Sequence, residues 1–95
     1  MAQQAIIRKR ITCYGQVQGV GFRFRAKQAA AAVGATGWVR NEYDGSVTME
    51  IQGTPEQIDS VTDAITRGRY IRIEGFEVMR IPVEESERGF RSEYC

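Results

Sequence analysis

The spacing of apolar residues changes several times along this 95-residue chain, and the order of these changes constrains the fold more than any other feature. Alternation at every second residue indicates a strand with one buried face, whereas spacings of three and four indicate a helix. In chain order, the two patterns predict a strand over residues 5–14, a helix over 22–33, strands over 36–43 and 46–52, a helix between Thr54 and Gly68, a strand over 71–81 and a short strand over 89–94. This order is that of the ferredoxin-like split β-α-β arrangement: an α+β fold with an antiparallel-dominated sheet and both helices on one face. The length predicts a single domain over residues 1–95.

Local signals mark the ends of both predicted helices. Thr54 and Gln57 have the spacing of a capping box, with Pro55 in the first helical position. Gly34 and Gly68 predict where the helices stop, because glycine accepts the left-handed conformation of a C-terminal cap. The residues expected to face the core are Phe22, Ala26, Ala29, Ala30 and Val33 in the first helix and Ile58, Val61 and Ile65 in the second.

The strands carry signals of their own. Asp44-Gly45 is a hairpin dipeptide and predicts antiparallel pairing of the second and third strands. The apolar phase slips at Glu74-Gly75, which predicts a β-bulge. Pro82 is expected to end that strand, and residues 84–88 read as a charged loop.

The polar faces of the strands are expected to lie in solvent. We interpret Arg8 and Arg10 as solvated charges of the first strand, not as a nucleic-acid patch. The wet face of the third strand is expected to carry Ser46, Thr48, Glu50 and Gln52.

Composition excludes several classes of function. A net charge of +1 supplies no field that would draw nucleic acid or an anionic membrane. No apolar run approaches the length of a membrane span, so a cytoplasmic protein is expected. The chain has no histidine, which removes Ser-His and Cys-His nucleophilic catalysis and argues against a zinc or non-haem iron site.

Cys13 is interpreted as a small buried apolar residue, and a Cys13–Cys95 disulfide is not expected.

Residues 15–21 contain three glycines and connect the first strand to the first helix. Such a turn presents unpaired backbone N–H groups at the positive end of the helix dipole, where a phosphate or carboxylate binds. Arg23 lies in the first turn, where the dipole disfavours a cation but where a guanidinium would reach the same anion. A tight connection that binds nothing would use the same glycines, and spacing alone leaves both interpretations open. Phe24 occupies the position of the third glycine of the dinucleotide-binding pattern, and the closing residues of a P-loop are absent.

Asn41 is the second candidate, at the end of the predicted second strand. Asparagine is a poor strand residue, so it either serves the turn at Asp44-Gly45 or holds a water or substrate oxygen. The spacing does not by itself bring Asn41 to Arg23, because the first helix crosses the sheet between them.

Two segments together resemble the acylphosphatase family. Residues 15–23, GQVQGVGFR, resemble its first signature, G-x-V-Q-G-V-x-F-R. Residues 37–53 are similar to its second signature through Trp38, Val39, Arg40, Asn41, Gly45, Val47 and Gly53. The two motifs occur in the family's order, and the predicted elements agree with its fold over nearly the whole chain.

The resemblance implies hydrolysis of a carboxyl phosphate to a carboxylate and inorganic phosphate, with no metal or cofactor. The family's catalytic arginine and asparagine correspond to Arg23, which would bind the phosphoryl group, and Asn41, which would orient the attacking water. The backbone N–H groups that hold the phosphoryl oxygens would come from Gln18, Gly19, Val20, Gly21 and Phe22. The expected partner is a small acyl phosphate, and the protein is expected to be a monomer that binds neither nucleic acid nor membrane.

Two non-catalytic functions are the alternatives. A ferredoxin-like RNA-binding module stacks bases on aromatic residues of its central strands, and the expected wet face of the third strand has none. A sensor of phosphate or acyl phosphate would keep the glycine loop without turnover. The presence of both Arg23 and Asn41 favours the enzyme.

Overall fold

The computed structural model describes residues 5–93 and confirms the predicted order of elements. These are β1 (Ile7–Gln16), α1 (Phe22–Val33), β2 (Thr36–Asn41), β3 (Val47–Gly53), α2 (Pro55–Thr66), β4 (Arg72–Ile81) and β5 (Phe90–Glu93). Most boundaries lie within two residues of the prediction. β2 ends at Asn41 instead of residue 43 because the chain already turns at Glu42, whose carbonyl oxygen accepts a hydrogen bond from the N–H of Gly45 at 3.2 Å.

The five strands form one sheet in the order β4-β1-β3-β2-β5. All neighbouring strands are antiparallel except β2 and β5, which are parallel. The two helices pack on one face, where a single apolar core joins them to the strands. Its buried residues include Ile11, Cys13, Val17, Phe22, Ala26, Val39, Met49, Ile51, Ile58 and Val61. This is the predicted ferredoxin-like α+β fold.

Two of the three predicted helix caps are confirmed. The Thr54 hydroxyl accepts from the N–H of Gln57 at 3.2 Å, and the Gln57 side chain accepts from the N–H of Thr54 at 2.8 Å. Gly34 caps α1 in the left-handed conformation, with φ of 78°. Gly68 is different: the cap of α2 is Arg67 in a right-handed conformation. Gly68 instead lies close to Ile71: a Cβ there would lie 2.5 Å from the end of that side chain, which would have to move.

The predicted bulge lies where β4 meets the end of β1. Tyr14 pairs with Gly75 and Gly15 pairs with Ile73, which leaves Glu74 as the extra residue. The strands approach so closely here that a Cβ on Gly15 would overlap the carbonyl oxygen of Arg72. Since Gly15 also has φ of +123°, only glycine fits this position without strain.

The second face of the sheet is not open to solvent over its centre, so two sequence-based predictions are wrong. Arg8 is 2% exposed, and all seven residues of β3 are buried. The segment that follows β4 crosses this face: the backbone N–H of Glu84 donates to the Gln52 side chain at 2.8 Å, and the same side chain donates back to the Glu84 carbonyl at 3.0 Å. The strand pattern reveals alternation but not which loop will fold over the polar face.

Arg8 is the centre of the ion-pair network under this segment. Its guanidinium donates to Glu87 at 2.6 Å, to Glu50 at 3.0 Å and to the Gln52 side chain at 3.2 Å. Arg10 remains exposed but also pairs with Glu50, at 2.8 Å. Neither arginine is therefore a free, solvated charge.

Cys13 is buried in the core, as predicted, and its thiol is free. Burial raises the pKa of this thiol to about 11, so it is neutral at pH 7 and a poor nucleophile. Cys95 lies outside the described residues. No helix within residues 5–93 has the length and apolar character that crossing a membrane requires.

Candidate active site

The glycine loop between β1 and α1 is held at both ends and open in the middle. Val17 and Phe22 are 1% and 2% exposed in the core, whereas Gly19 and Gly21 lie at the surface. Both glycines have left-handed backbones, with φ of 71° and 86°, and a Cβ on either would meet no atom within 4 Å. Backbone geometry, not lack of space, therefore requires glycine here, and the room above the loop is free for a ligand.

The N-terminus of α1 lacks a side-chain cap among the described residues. Gly21 is the N-cap residue, and no side chain accepts from the first-turn N–H groups. No acidic residue lies in the first turn either. The donors that a Ser, Thr or Asp cap would have satisfied remain available at the positive end of the helix.

The side chain of Gln18 ties this loop to the turn between β2 and β3. Its Nε2 donates to the carbonyl oxygen of Glu42 at 2.7 Å and to that of Ser46 at 2.9 Å. The resemblance assigned only the backbone N–H of Gln18 to the loop. This side-chain role had no sequence signal, because it depends on carbonyl groups more than 20 residues away.

Asn41 is the last residue of β2, beside the tied turn. The turn closes through the N–H of Glu42, which donates to Ser46 at 2.8 Å, and through Asp44. The hydroxyl and N–H of Ser46 both donate to the Asp44 carboxylate and lower its pKa. None of these turn bonds involves the Asn41 side chain.

Arg23 lies over the same end of the sheet. Its Nη1 donates to Ser92 Oγ at 3.5 Å, and Ser92 pairs with Val39 on β2. Val39 is fully buried on the helix-covered face, and Asn41, two residues further along the strand, faces the same way. Two strand residues span roughly 6.6 Å, so the structure brings Arg23 and Asn41 to one end and one face of the sheet. Spacing alone had left this open.

Ser92 is a contact that sequence reasoning missed. A short final strand was predicted, but only the parallel pairing of β5 with β2 places Ser92 beside Val39 and beneath Arg23. Within residues 5–93, no group of three or more His, Cys, Asp or Glu side chains could hold a metal ion.

The chain matches known proteins over nearly its whole length. The Acylphosphatase family model matches residues 9–92. The chain belongs to the acylphosphatase family. An acylphosphatase of Oceanobacillus iheyensis is 37% identical over 87 residues, which cover 90% of this chain and 96% of the relative. An acylphosphatase of Bifidobacterium longum is 38% identical and covers 95% of this chain and 96% of its own length.

Solved structures of acylphosphatases share the fold. The crystal structure of acylphosphatase from Bacillus subtilis has a TM-score of 0.84 and 29% identity, covering 93% of this chain and 99% of that one. The acylphosphatase from Coxiella burnetii has a TM-score of 0.83 and 28% identity, covering 98% and 100%. The chain is therefore an enzyme, an acylphosphatase of the hydrolase class.

Proposed function

We propose that this enzyme hydrolyses the carboxyl-phosphate bond of small acyl phosphates, using the glycine loop and Arg23 to hold the phosphoryl group and Asn41 to orient the water. The observation that carries the proposal is the Gln18 bridge, which joins an uncapped helix N-terminus to the strand end that bears Asn41. Arg23 lies on the same face of that strand end through its contact with Ser92.

The loop would bind the phosphoryl oxygens through backbone donors. These N–H groups belong to Gln18, Gly19, Val20, Gly21 and Phe22. Gly19 and Gly21 both have left-handed backbones, a conformation typical of loops whose successive N–H groups bind one anion. Arg23 would add a two-pronged, permanently charged donor that neutralises the charge on the transferring group.

The reaction requires little from the protein beyond positioning the reactants and stabilising the charge of the transition state. The water oxygen forms a bond to phosphorus while the bond between phosphorus and the acyl oxygen breaks. The electron pair of the broken bond stays on the acyl oxygen. The departing carboxylate is stable without a proton, because a carboxylic acid has a pKa of about 4. The water proton passes to a phosphoryl oxygen, so the products are a carboxylate and inorganic phosphate.

This route uses no protein base. Glu42 is the carboxylate next to Asn41 in the chain, but its side chain pairs with Arg40 at 2.8 Å. We therefore expect Glu42→Gln to leave the shape of the pH–rate profile unchanged. A profile that follows a carboxylate, and that disappears in this variant, would contradict proton transfer to the substrate.

The proposal includes a monomeric enzyme in the cytoplasm that acts on a free small molecule. The buried, free thiol of Cys13 and the net charge of +1 support it. Size-exclusion chromatography with light scattering tests the monomer; a stable dimer at micromolar concentration would contradict it.

The deciding experiment is the hydrolysis of benzoyl phosphate with EDTA present. The wild-type enzyme should turn over, and Arg23→Gln should lower kcat/KM by at least about 10²- to 10³-fold, because a donor aimed at transition-state charge is lost. Lys27→Gln removes an exposed cation from the same helix and should change little. Wild-type protein that binds phosphate without turnover would instead identify a sensor.

A further inference from the structure

An apolar groove lies between α2 and β4, on the helix-covered face of the sheet. Phe76 and Val78 of β4 pair with Cys13 and Ile11 of β1, yet they are 66% and 49% exposed. Because β4 is the edge strand and the helices do not cover it, its core-facing side chains remain open. The groove has a volume of about 560 Å³, enough for a small organic group. We call it the α2–β4 groove; its apolar lining includes Cys13, Phe22, Ile58, Ile73, Phe76 and Val78.

One end of this groove adjoins the glycine loop. Ile73, a lining residue, pairs with Gly15, where the loop begins. Phe22, where the loop ends, also lines the groove through its buried side chain. Both ends of the loop therefore border the groove.

The proposed chemistry points the leaving group in this direction. In phosphoryl transfer the attacking and leaving oxygens lie roughly in line across phosphorus. If Asn41 orients the water from the β2 side, the acyl oxygen departs on the opposite side. In the sheet order β4-β1-β3-β2-β5, the side away from β2 holds β1 and β4, and thus the groove.

We propose that the α2–β4 groove binds the acyl group of the substrate and makes apolar acyl phosphates the preferred substrate class. This inference rests on the proposed function. The charged residues of the lining are Lys9, Asp59 and Glu74. Because both signs are present, the lining does not favour an acyl group of either charge. An aromatic or aliphatic acyl group would instead cover Phe76 and Val78, which otherwise remain exposed to water.

The test compares kcat/KM for benzoyl phosphate with that for acetyl phosphate. The wild-type enzyme should prefer benzoyl phosphate, and Phe76→Ser and Val78→Ser should each lower the benzoyl-to-acetyl ratio by about 10-fold. Met79→Ser is the matched control: Met79 is 58% exposed on the same strand but pairs with Arg10, on the other face. This variant should keep the wild-type ratio.

A second measurement needs no variant and guards against misfolding. Benzoate should inhibit the wild-type enzyme at least about 10-fold more tightly than acetate, because both are leaving products and only benzoate fills the groove. Equal inhibition, or a ratio lowered no more in the groove variants than in Met79→Ser, would overturn the inference while leaving acyl phosphate hydrolysis intact. A wild-type enzyme that hydrolyses neither substrate would overturn the proposed function itself and this inference with it.

Discussion

Gln18 and Glu42 are 24 positions apart in the chain, yet Gln18 Nε2 lies 2.7 Å from the carbonyl oxygen of Glu42 and donates a hydrogen bond to it. Because Glu42 directly follows Asn41, this bond sets the separation between the glycine loop and the end of β2. The same amide donates to Ser46 at 2.9 Å, so both sides of the β2–β3 turn are held by one side chain. Two hydrogen bonds of one side chain therefore tie the loop to the strand end.

Substitution of Gln18 should affect both stability and phosphate binding. Gln18→Ala removes two hydrogen bonds and should lower the free energy of unfolding by about 1–2 kcal/mol. Gln18→Glu should be worse for binding, since it sets a carboxylate against two carbonyl oxygens and beside the bound anion. Urea unfolding and phosphate calorimetry measure the two effects, with Gln28→Ala on the exposed face of α1 as control. Wild-type phosphate affinity in Gln18→Glu would show that the bridge does not position the loop.

Replacement of Asn41 should separate turnover from binding. Asn41→Ala should lower kcat by about 10²-fold, because a misplaced nucleophile loses the advantage of orientation, and it should change the phosphate Kd by less than about 3-fold. Steady-state kinetics with benzoyl phosphate and calorimetry with phosphate make the comparison. Tyr43→Ala, at a side chain 94% exposed in the adjacent turn, is the control. A collapse of phosphate affinity with turnover preserved would reverse the role assigned to Asn41.

Loss of Arg8 should destabilise the fold. Arg8→Met leaves the Glu50 and Glu87 carboxylates buried without their main partner, and should lower the free energy of unfolding by about 3 kcal/mol. Urea denaturation at pH 7 measures it. Arg80→Met changes an exposed arginine on β4 and should cost less than about 0.5 kcal/mol. Equal stability of the two variants would mean that the network contributes nothing.

Acid should weaken the same network through Glu87. Burial alone raises the pKa of the Glu87 carboxyl, but its neighbours, Arg8 first among them and Arg91 with its charge, outweigh this effect and hold the pKa below its ordinary value of 4.5. Since protonation then favours the unfolded chain, this contribution is complete above pH 4.5 and is lost as the pH falls through the lowered folded-state pKa.

Unfolding free energies measured from pH 7 down to pH 3 test this linkage. Glu87→Gln lacks the titrating group, so its stability should fall less steeply below pH 4.5 than that of the wild type. Glu85→Gln, in the exposed part of the same segment, should keep the wild-type slope. Parallel curves for all three proteins would exclude Glu87 as a source of acid lability.

Local sequence signals predicted most of the fold. The capping box at Thr54, the hairpin at Asp44-Gly45, the stop at Pro82 and the bulge at Glu74 each leave a signal within a few residues of the chain. Such short-range preferences are readable from the chain because the interacting groups are adjacent in it. The motifs around Arg23 and Asn41 likewise indicate the candidate catalytic pair from the sequence alone.

The wrong predictions of solvent exposure, for Arg8 and for the polar face of β3, have a common physical origin in contacts between distant segments. Arg8 was assigned to solvent because its strand alternates, but residues 84–88 fold over it and supply Glu87 as its partner. The polar side chains of β3 were assigned to solvent for the same reason, but the same segment covers them, and the backbone of Glu84 bonds to Gln52. Glu87 is 79 positions from Arg8 and Glu84 is 32 from Gln52, so the local pattern could not reveal either contact.

The sequence by itself therefore determined the order of the elements, the capping box, the Gly34 cap and the hairpin, since each follows from interactions along a few residues of chain. The candidate site residues came from the two family motifs. Tertiary structure alone decided that Gln18 reaches Glu42, that Ser92 lies beneath Arg23 and that β4 leaves an open groove beside α2. These relationships depend on strand order and on the parallel β2–β5 pair. They arise only when all five strands pack with the helices around one core, because packing brings together groups that no local preference relates.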